Sequence, residues 1–88
     1  MAVKIVVHPF LNNGKELEVL TTGATVGECI KELINLHPHI EEKLFDKNKK
    51  LRGYVEILVN AKSTYPQELS YPVNDGDTIN LIVFLSGG

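Results

Sequence analysis

Val3, Ile5 and Val7 alternate with Lys4, Val6 and His8 ahead of Pro9, and this period of two in β-branched residues predicts a strand with Val3, Ile5 and Val7 on one face. Asn12-Asn13-Gly14 then supplies a turn in which Gly14 can take positive φ, and Lys15 to Leu20 alternates again, placing Leu17 and Val19 on the buried side of a β-hairpin. After Thr21-Thr22-Gly23 the period changes. Thr25-Val26-Gly27-Glu28 has the spacing of a capping box, and Val26, Cys29, Ile30, Leu33 and Ile34 recur at helical spacing against Glu28, Lys31, Glu32 and Asn35. An amphipathic helix from about Thr25 to about His37, ended by Pro38, covers a sheet.

A short helical turn is expected around Ile40 to Phe45, with Leu44 and Phe45 tucked under the domain, followed by a polar loop, Lys47-Asn48-Lys49-Lys50. Val55, Ile57 and Val59 alternate with Glu56 and Leu58 in the next strand. A long polar connection with Pro66 and Pro72 has room for a short strand or turn near Leu69 and closes on Asn74-Asp75-Gly76-Asp77, a strong turn signal. In the last strand, Thr78 to Leu85, Ile79, Leu81, Val83 and Leu85 share one face and Asn80, Ile82 and Phe84 the other. Ser86-Gly87-Gly88 remains. The order strand, strand, helix, strand, strand describes one α+β domain over residues 1–85, a mixed sheet of four to five strands grasping one main helix, with residues 86–88 as a flexible tail.

Composition narrows the function. Eighty-eight residues fit one core, and 43% hydrophobic with 23% charged residues is ordinary globular usage. A net charge of −2 built from interspersed acids and bases lacks the footprint of a nucleic-acid binder. The lone Cys29 cannot form an internal disulfide, and the Val3 to Val7 run is too short and broken for a signal peptide or membrane span, so a cytoplasmic protein with no membrane partner is expected. Cys29 lies on the apolar helix stripe, where a free cysteine behaves as a small buried hydrophobe. His8 and His37-Pro38-His39 have no cysteine or carboxylate pair at ligand spacing, so no metal site is expected. Glu41-Glu42 reads as a solvated face and Asp75/Asp77 as a turn rather than an acid and base.

The hairpin, the capped helix, Val59-Asn60, the Tyr71-Pro72-Val73-Asn74-Asp75-Gly76-Asp77 turn and a strand running into a terminal Gly-Gly together resemble the ubiquitin-like β-grasp sulfur carriers of the MoaD/ThiS family, which includes the molybdopterin synthase small subunit. Two glycines end a chain by chance about once in 200 sequences. The resemblance implies that Gly88 is adenylated, with ATP, by a ubiquitin-activating-type adenylyltransferase and converted to a thiocarboxylate that gives its sulfur to an acceptor enzyme, such as the molybdopterin synthase large subunit. The chain itself would then be no enzyme but a carrier subunit with no bound cofactor, Gly87 and Ser86 giving reach. A terminal carboxyl with a reference pKa of about 3.3 to 3.7 is ionised at neutral pH and can attack an activated phosphate, and glycines let an extended tail thread a narrow cleft. Nothing in the chain resembles a phosphate cradle, so the ATP site belongs to the partner. Ile82 and Phe84, with Val6 and Leu58 if the first and last strands are neighbours, would form an apolar docking patch beside the tail unless the helical turn near Ile40 to Phe45 covers it. The segment from Ile40 to Tyr54 is longer than in the shortest thiazole-type carriers. Carriers for cysteine biosynthesis, thiamine or tRNA thiolation, a lysine-conjugated protein modifier and a purely non-covalent β-grasp module are the other readings.

Overall fold

A computed structural model of the chain describes residues 1–84. Five strands form one sheet: β1 (Val3–Val7), β2 (Leu17–Thr21), β3 (Val55–Val59), β4 (Lys62–Ser63) and β5 (Thr78–Val83). They lie in the order β2-β1-β5-β3-β4, so the last strand of the chain occupies the centre. It runs parallel to β1, with Ile5 opposite Ile79 and Val7 opposite Leu81, and antiparallel to β3, with Ile57 opposite Leu81 and Val59 opposite Ile79. The alternating residues Val3, Ile5, Val7, Ile57, Val59, Ile79 and Leu81 therefore form one apolar face, all of them buried.

Helix α1 (Val26–Leu36) packs Val26, Cys29, Ile30 and Leu33 on that face, as the 3.6-residue stripe predicts. Its capping box is displaced by one residue. Thr25 Oγ1 accepts from the Glu28 N–H at 3.2 Å, but the Glu28 carboxylate reaches past Thr25 to accept from the Ala24 N–H at 2.9 Å. Gly23 makes this entry possible: a Cβ there would lie 2.6 Å from the Glu28 Cβ and 2.8 Å from the Cys29 nitrogen. The helix ends at Leu36, ahead of Pro38, and the expected helical turn follows as a 3₁₀ turn (Pro38–Ile40) running into α2 (Glu41–Leu44), with Ile40 and Leu44 fully buried.

One expectation needs correction. The β1–β2 connection is not a tight hairpin on Asn12-Asn13-Gly14. With Val7 opposite Leu17, it holds residues 8–16, including a 3₁₀ turn (Pro9–Asn12) that drives Leu11 into the core. His8 Nδ1 accepts from the Phe10 N–H at 3.0 Å and caps that turn. The long connection after β3 holds the expected turn near Leu69, a 3₁₀ turn (Glu68–Ser70), preceded by the two-residue strand Lys62–Ser63. Its other end is structural, since Val73 is buried and the Val73 N–H donates to the Ala24 carbonyl at the head of α1.

The Asn74-Asp75-Gly76-Asp77 turn knits the chain ends together. Gly76 at φ +89° donates its N–H to the Ala2 carbonyl, Asp75 Oδ1 accepts from the Ala2 N–H at 2.6 Å, and the Lys4 N–H donates to the Asp77 carbonyl. Asp77 Oδ1 accepts from Asn60 Nδ2 at 2.9 Å and Oδ2 from the Asn74 N–H at 2.8 Å, while Asn60 Oδ1 accepts from the Thr78 N–H. The Asn60 side chain first, then the Asn74 N–H, hold the Asp77 carboxyl below its ordinary pKa.

Two predictions follow from these turns. Asn60 and Ala61, at φ +50° and +69°, form the two-residue β3–β4 loop, a position where type I′ geometry favours Asn-Gly. Ala61→Gly relieves about 1–2 kcal/mol of left-handed strain against about 0.5–1 kcal/mol of added chain entropy. It should raise stability by about 0.5–1 kcal/mol, read as a rise of a few degrees in thermal midpoint; a lower midpoint would contradict the turn assignment. For Asp77 the folded pKa lies below the unfolded value of about 3.9, so its contribution is present above about pH 4 and lost as pH falls through the folded pKa. Asp77→Asn should be less stable than the wild type at pH 7 and lose less stability between pH 5 and pH 2, measured by urea unfolding. An unchanged pH dependence would show that this carboxylate is not linked to folding.

Candidate functional site

Ser86, Gly87 and Gly88, together with Leu85, lie outside the described residues, so the candidate site is approached from its base. That base is the end of β5. Val83 is half-buried, and the Phe84 N–H donates to the Tyr54 carbonyl at 2.7 Å, joining the exit of the chain to the start of β3. Tyr54 is itself held, its hydroxyl donating to the Lys43 carbonyl at 2.7 Å and its ring meeting Phe10 edge-on at 5.7 Å. The Phe84 side chain is 59% exposed beside this junction.

The other three expected docking residues lie on the sheet face opposite α1. Val6 and Leu58 both stand opposite Asn80 of β5, and Ile82 stands opposite Glu56. All three are half-buried. Ile40 and Leu44 pack into the core shared with α1, so the turn they belong to lies on the other side of the sheet. The four do not make an unbroken apolar patch: Asn80 separates Val6 from Leu58, and Glu18 and Glu56 stand beside them. A depression of about 460 Å³ runs along this face, lined by Val6, His8, Glu18, Asn80 and Ile82. The outer face thus offers half-buried apolar side chains interrupted by polar ones. Asn80 is the residue that hydrophobicity alone passes over, although alternation places it on the same face as Ile82.

The remaining candidates are structural. Cys29 is fully buried, with Sγ 3.6 Å from the Gly23 carbonyl oxygen. His39 Nε2 pairs with Asn12 Oδ1 at 2.6 Å, tying the 3₁₀ turn after α1 to the β1–β2 connection, and the His37 ring meets the His39 ring edge-on. No group of three or more His, Cys, Asp or Glu side chains among the described residues could hold a metal ion. Glu41 and Glu42 are exposed in the first turn of α2. No helix among the described residues is long and apolar enough to cross a membrane.

Comparison with known proteins agrees with this architecture. A protein of Archaeoglobus fulgidus described as a proposed sulfur carrier is 27% identical over 89 residues, the whole of both chains. The Amycolatopsis orientalis BexX/CysO complex contains a chain 27% identical to this one, with a TM-score of 0.81, covering 99% of this chain and all of that one. Two further structures share the fold at lower identity. SAMP1 from Haloferax volcanii has a TM-score of 0.79 at 23% identity, covering all of both chains. A chain of the complex between subunits 1 and 2 of the Helicobacter pylori molybdopterin-converting factor has a TM-score of 0.66 at 22%, again over all of both chains. These likenesses identify the sheet and helix as a ubiquitin-like β-grasp. The ThiS family model matches residues 6–88, from the end of β1 through the terminal glycines, and the chain belongs to the ThiS family.

Proposed function

We propose that the chain is a sulfur carrier of the ThiS/MoaD type, whose Gly88 carboxylate is adenylated and then converted to a thiocarboxylate by a partner enzyme. Membership of the ThiS family across residues 6–88, including the two glycines, carries this reading. The carboxylate oxygen of Gly88 attacks the α-phosphorus of ATP, pyrophosphate leaves, and a sulfur nucleophile then displaces AMP from the carbonyl. The leaving groups make both steps favourable at an otherwise unreactive carboxylate. The chain contributes reach and presentation rather than catalytic side chains. β5 is clamped between β1 and β3, and Gly88 lies four residues beyond Phe84, a span of at most about 14 Å when extended.

The sulfur acceptor is a second protein, with Phe84, Ile82, Leu58 and Val6 meeting it around Asn80. The relatives found in complexes, CysO with BexX and the two molybdopterin-converting-factor subunits, support action in a complex. Delivery to the molybdopterin precursor, as the small subunit of the synthase, is one acceptor reading. The 27% likeness to CysO, higher than the 22% likeness to the molybdopterin-converting-factor chain, favours a CysO-type partner as the other. The likeness to SAMP1, which the Methanosarcina acetivorans structure names a small archaeal modifier protein, adds conjugation to lysine as a rival fate for the same activated Gly88.

Intact mass spectrometry of the chain purified from its host, or after incubation with ATP, a sulfur source and the host adenylyltransferase, tests the carrier role. The expected result is a mass gain equal to replacement of one oxygen by sulfur, localised to Gly88 and absent when Gly87 and Gly88 are deleted. A free carboxylate under all conditions would refute it, and lysine-linked adducts would move the assignment to a modifier. For the docking face, Phe84→Ser should keep the thermal midpoint and weaken partner binding about tenfold or more, as expected for an exposed aromatic anchor. Unchanged affinity would remove Phe84 from the interface.

A further inference from the structure

The charge of the chain is unevenly placed. Residues 43–52 hold five cations (Lys43, Lys47, Lys49, Lys50 and Arg52) against one anion, Asp46, a formal +4, while the rest of the chain has four cations against ten anions, a formal −6. The fold presents this segment as a fixed loop. Phe45 and Leu51 form a bridge, the Asp46 N–H donates to the Lys50 carbonyl at 2.8 Å, and the Lys49 N–H, at φ +64°, returns to the Asp46 carbonyl at 2.9 Å. The one acid is turned inward, Asp46 Oδ1 accepting from the Asn48 and Lys50 N–H groups at 2.8 and 3.0 Å. The backbone hydrogen bond from Lys50 is the chief cause holding that carboxyl below its ordinary pKa, so it stays an acceptor for its own loop. Lys47, Lys49 and Lys50 are exposed at the tip. Among the described residues the only ion pair is Lys4–Glu18; Asp46 attracts Lys50 across the loop, but none of the three lysines forms an ion pair with a carboxylate.

This loop borders the exit of the chain. Leu51 and Arg52 line the same depression as Phe84, a hollow that also holds Glu56 and Glu68, and Arg52 continues into a second hollow with Lys47, Lys49, Glu41 and Glu42. If Gly88 enters a partner's active site, as the proposed function requires, that partner sits within about 14 Å of Phe84. A standard interface of about 800 Å² per partner, a disc of about 16 Å radius, then reaches the Leu51–Arg52 arm. Three lysines within a Debye length of about 8 Å act on such a surface before contact is made.

We propose that the Lys47, Lys49 and Lys50 tip is an electrostatic guide that docks against an acidic surface on the enzyme receiving the C-terminal tail. An acidic protein surface fits better than a nucleic acid: the tip has no aromatic residue on which a base could stack, and the surrounding −6 repels a continuous phosphate backbone. Rim charges of this kind set the rate of encounter and its salt dependence more than the lifetime of the complex.

The test is stopped-flow association of the full chain with the host adenylyltransferase across a series of salt concentrations. The wild-type association rate should fall steeply with salt. The triple variant Lys47→Gln, Lys49→Asn, Lys50→Gln, in which Asn suits the positive φ at position 49, should associate about tenfold more slowly at low salt with a flattened slope and nearly unchanged dissociation. A salt-independent wild-type rate overturns the proposal without recourse to any variant, and so does a triple variant with the wild-type slope. Loss of binding to a polyuridine probe, with enzyme association unaffected, would reassign the loop to nucleic acid. Mass spectrometry at saturating enzyme separates the two levels of inference. Thiocarboxylate formation with equal slopes defeats the guide and leaves the carrier standing, whereas no sulfur gain in either protein defeats the carrier and the guide with it.

Discussion

The parallel pairing of β5 with β1 is the constraint on which the rest of the structure depends. It joins residues more than seventy positions apart and puts the last strand at the centre of the sheet, with β3 closing its other side. Bringing such distant segments together costs loop-closure entropy that local contacts cannot offset. The compensation is concentrated at one end. The Asp75-Gly76-Asp77 turn makes three hydrogen bonds to Ala2 and Lys4 and a fourth, through the Asp77 carboxylate, to Asn60 at the end of β3. One four-residue turn therefore registers three strands at once, and that register is what aligns Val3, Ile5, Val7, Ile57, Val59, Ile79 and Leu81 on the face that α1 covers.

Much of this was legible in the sequence because it follows from periods. The alternation in β1, β3 and β5 and the stripe Val26, Cys29, Ile30, Leu33 of α1 are set by one-sided burial, which repeats. What was not legible is burial that does not repeat. Leu11 is completely buried from within a 3₁₀ turn that lies between two periods and belongs to neither, and Val73 from within a proline-flanked connection. The strand β4 has two residues, both exposed, and no period can announce it. Glu28 has the right spacing for a capping box, yet its carboxylate goes to Ala24, since the chain turns at Gly23 closely enough for that N–H to be the one within reach. In the candidate site, the faces of Ile82, Leu58 and Val6 were readable from alternation. The separation of Val6 from Leu58 by Asn80 was not, because it depends on the register of three strands from distant parts of the chain.

The polar groups that the core does take in are placed to protect this arrangement. Thr21 and Thr64 are nearly inaccessible, and each hydroxyl donates at 2.8 Å to a carbonyl of a neighbouring strand, Val3 and Ile57 respectively. Among the described residues no buried side-chain nitrogen or oxygen lacks a partner. Leaving such a donor unpaired would cost about 1–3 kcal/mol, so each threonine is tied to one register of its strand. Thr21 fixes the outer end of β2 against β1, and Thr64 fixes the chain just after β4 against β3.

A molecule built in this way separates its chemistry from its stability. The buried side chains belong to the face under α1, the opposite face carries Val6, Leu58 and Ile82 around a polar Asn80, and the exit of the chain is fastened at Phe84 by the Tyr54 carbonyl. Substitutions at exposed positions such as Lys47, Lys49 and Lys50 remove little buried area and leave the core intact. The exposed surfaces can then vary in charge and shape while the central strand keeps its register. That independence accounts for a fold held at TM-scores of 0.66 to 0.81 by chains only 22 to 27% identical to this one. The β-grasp fixes where the chain leaves the sheet, and under the proposed function the exposed face and basic loop are the surfaces that choose its partner.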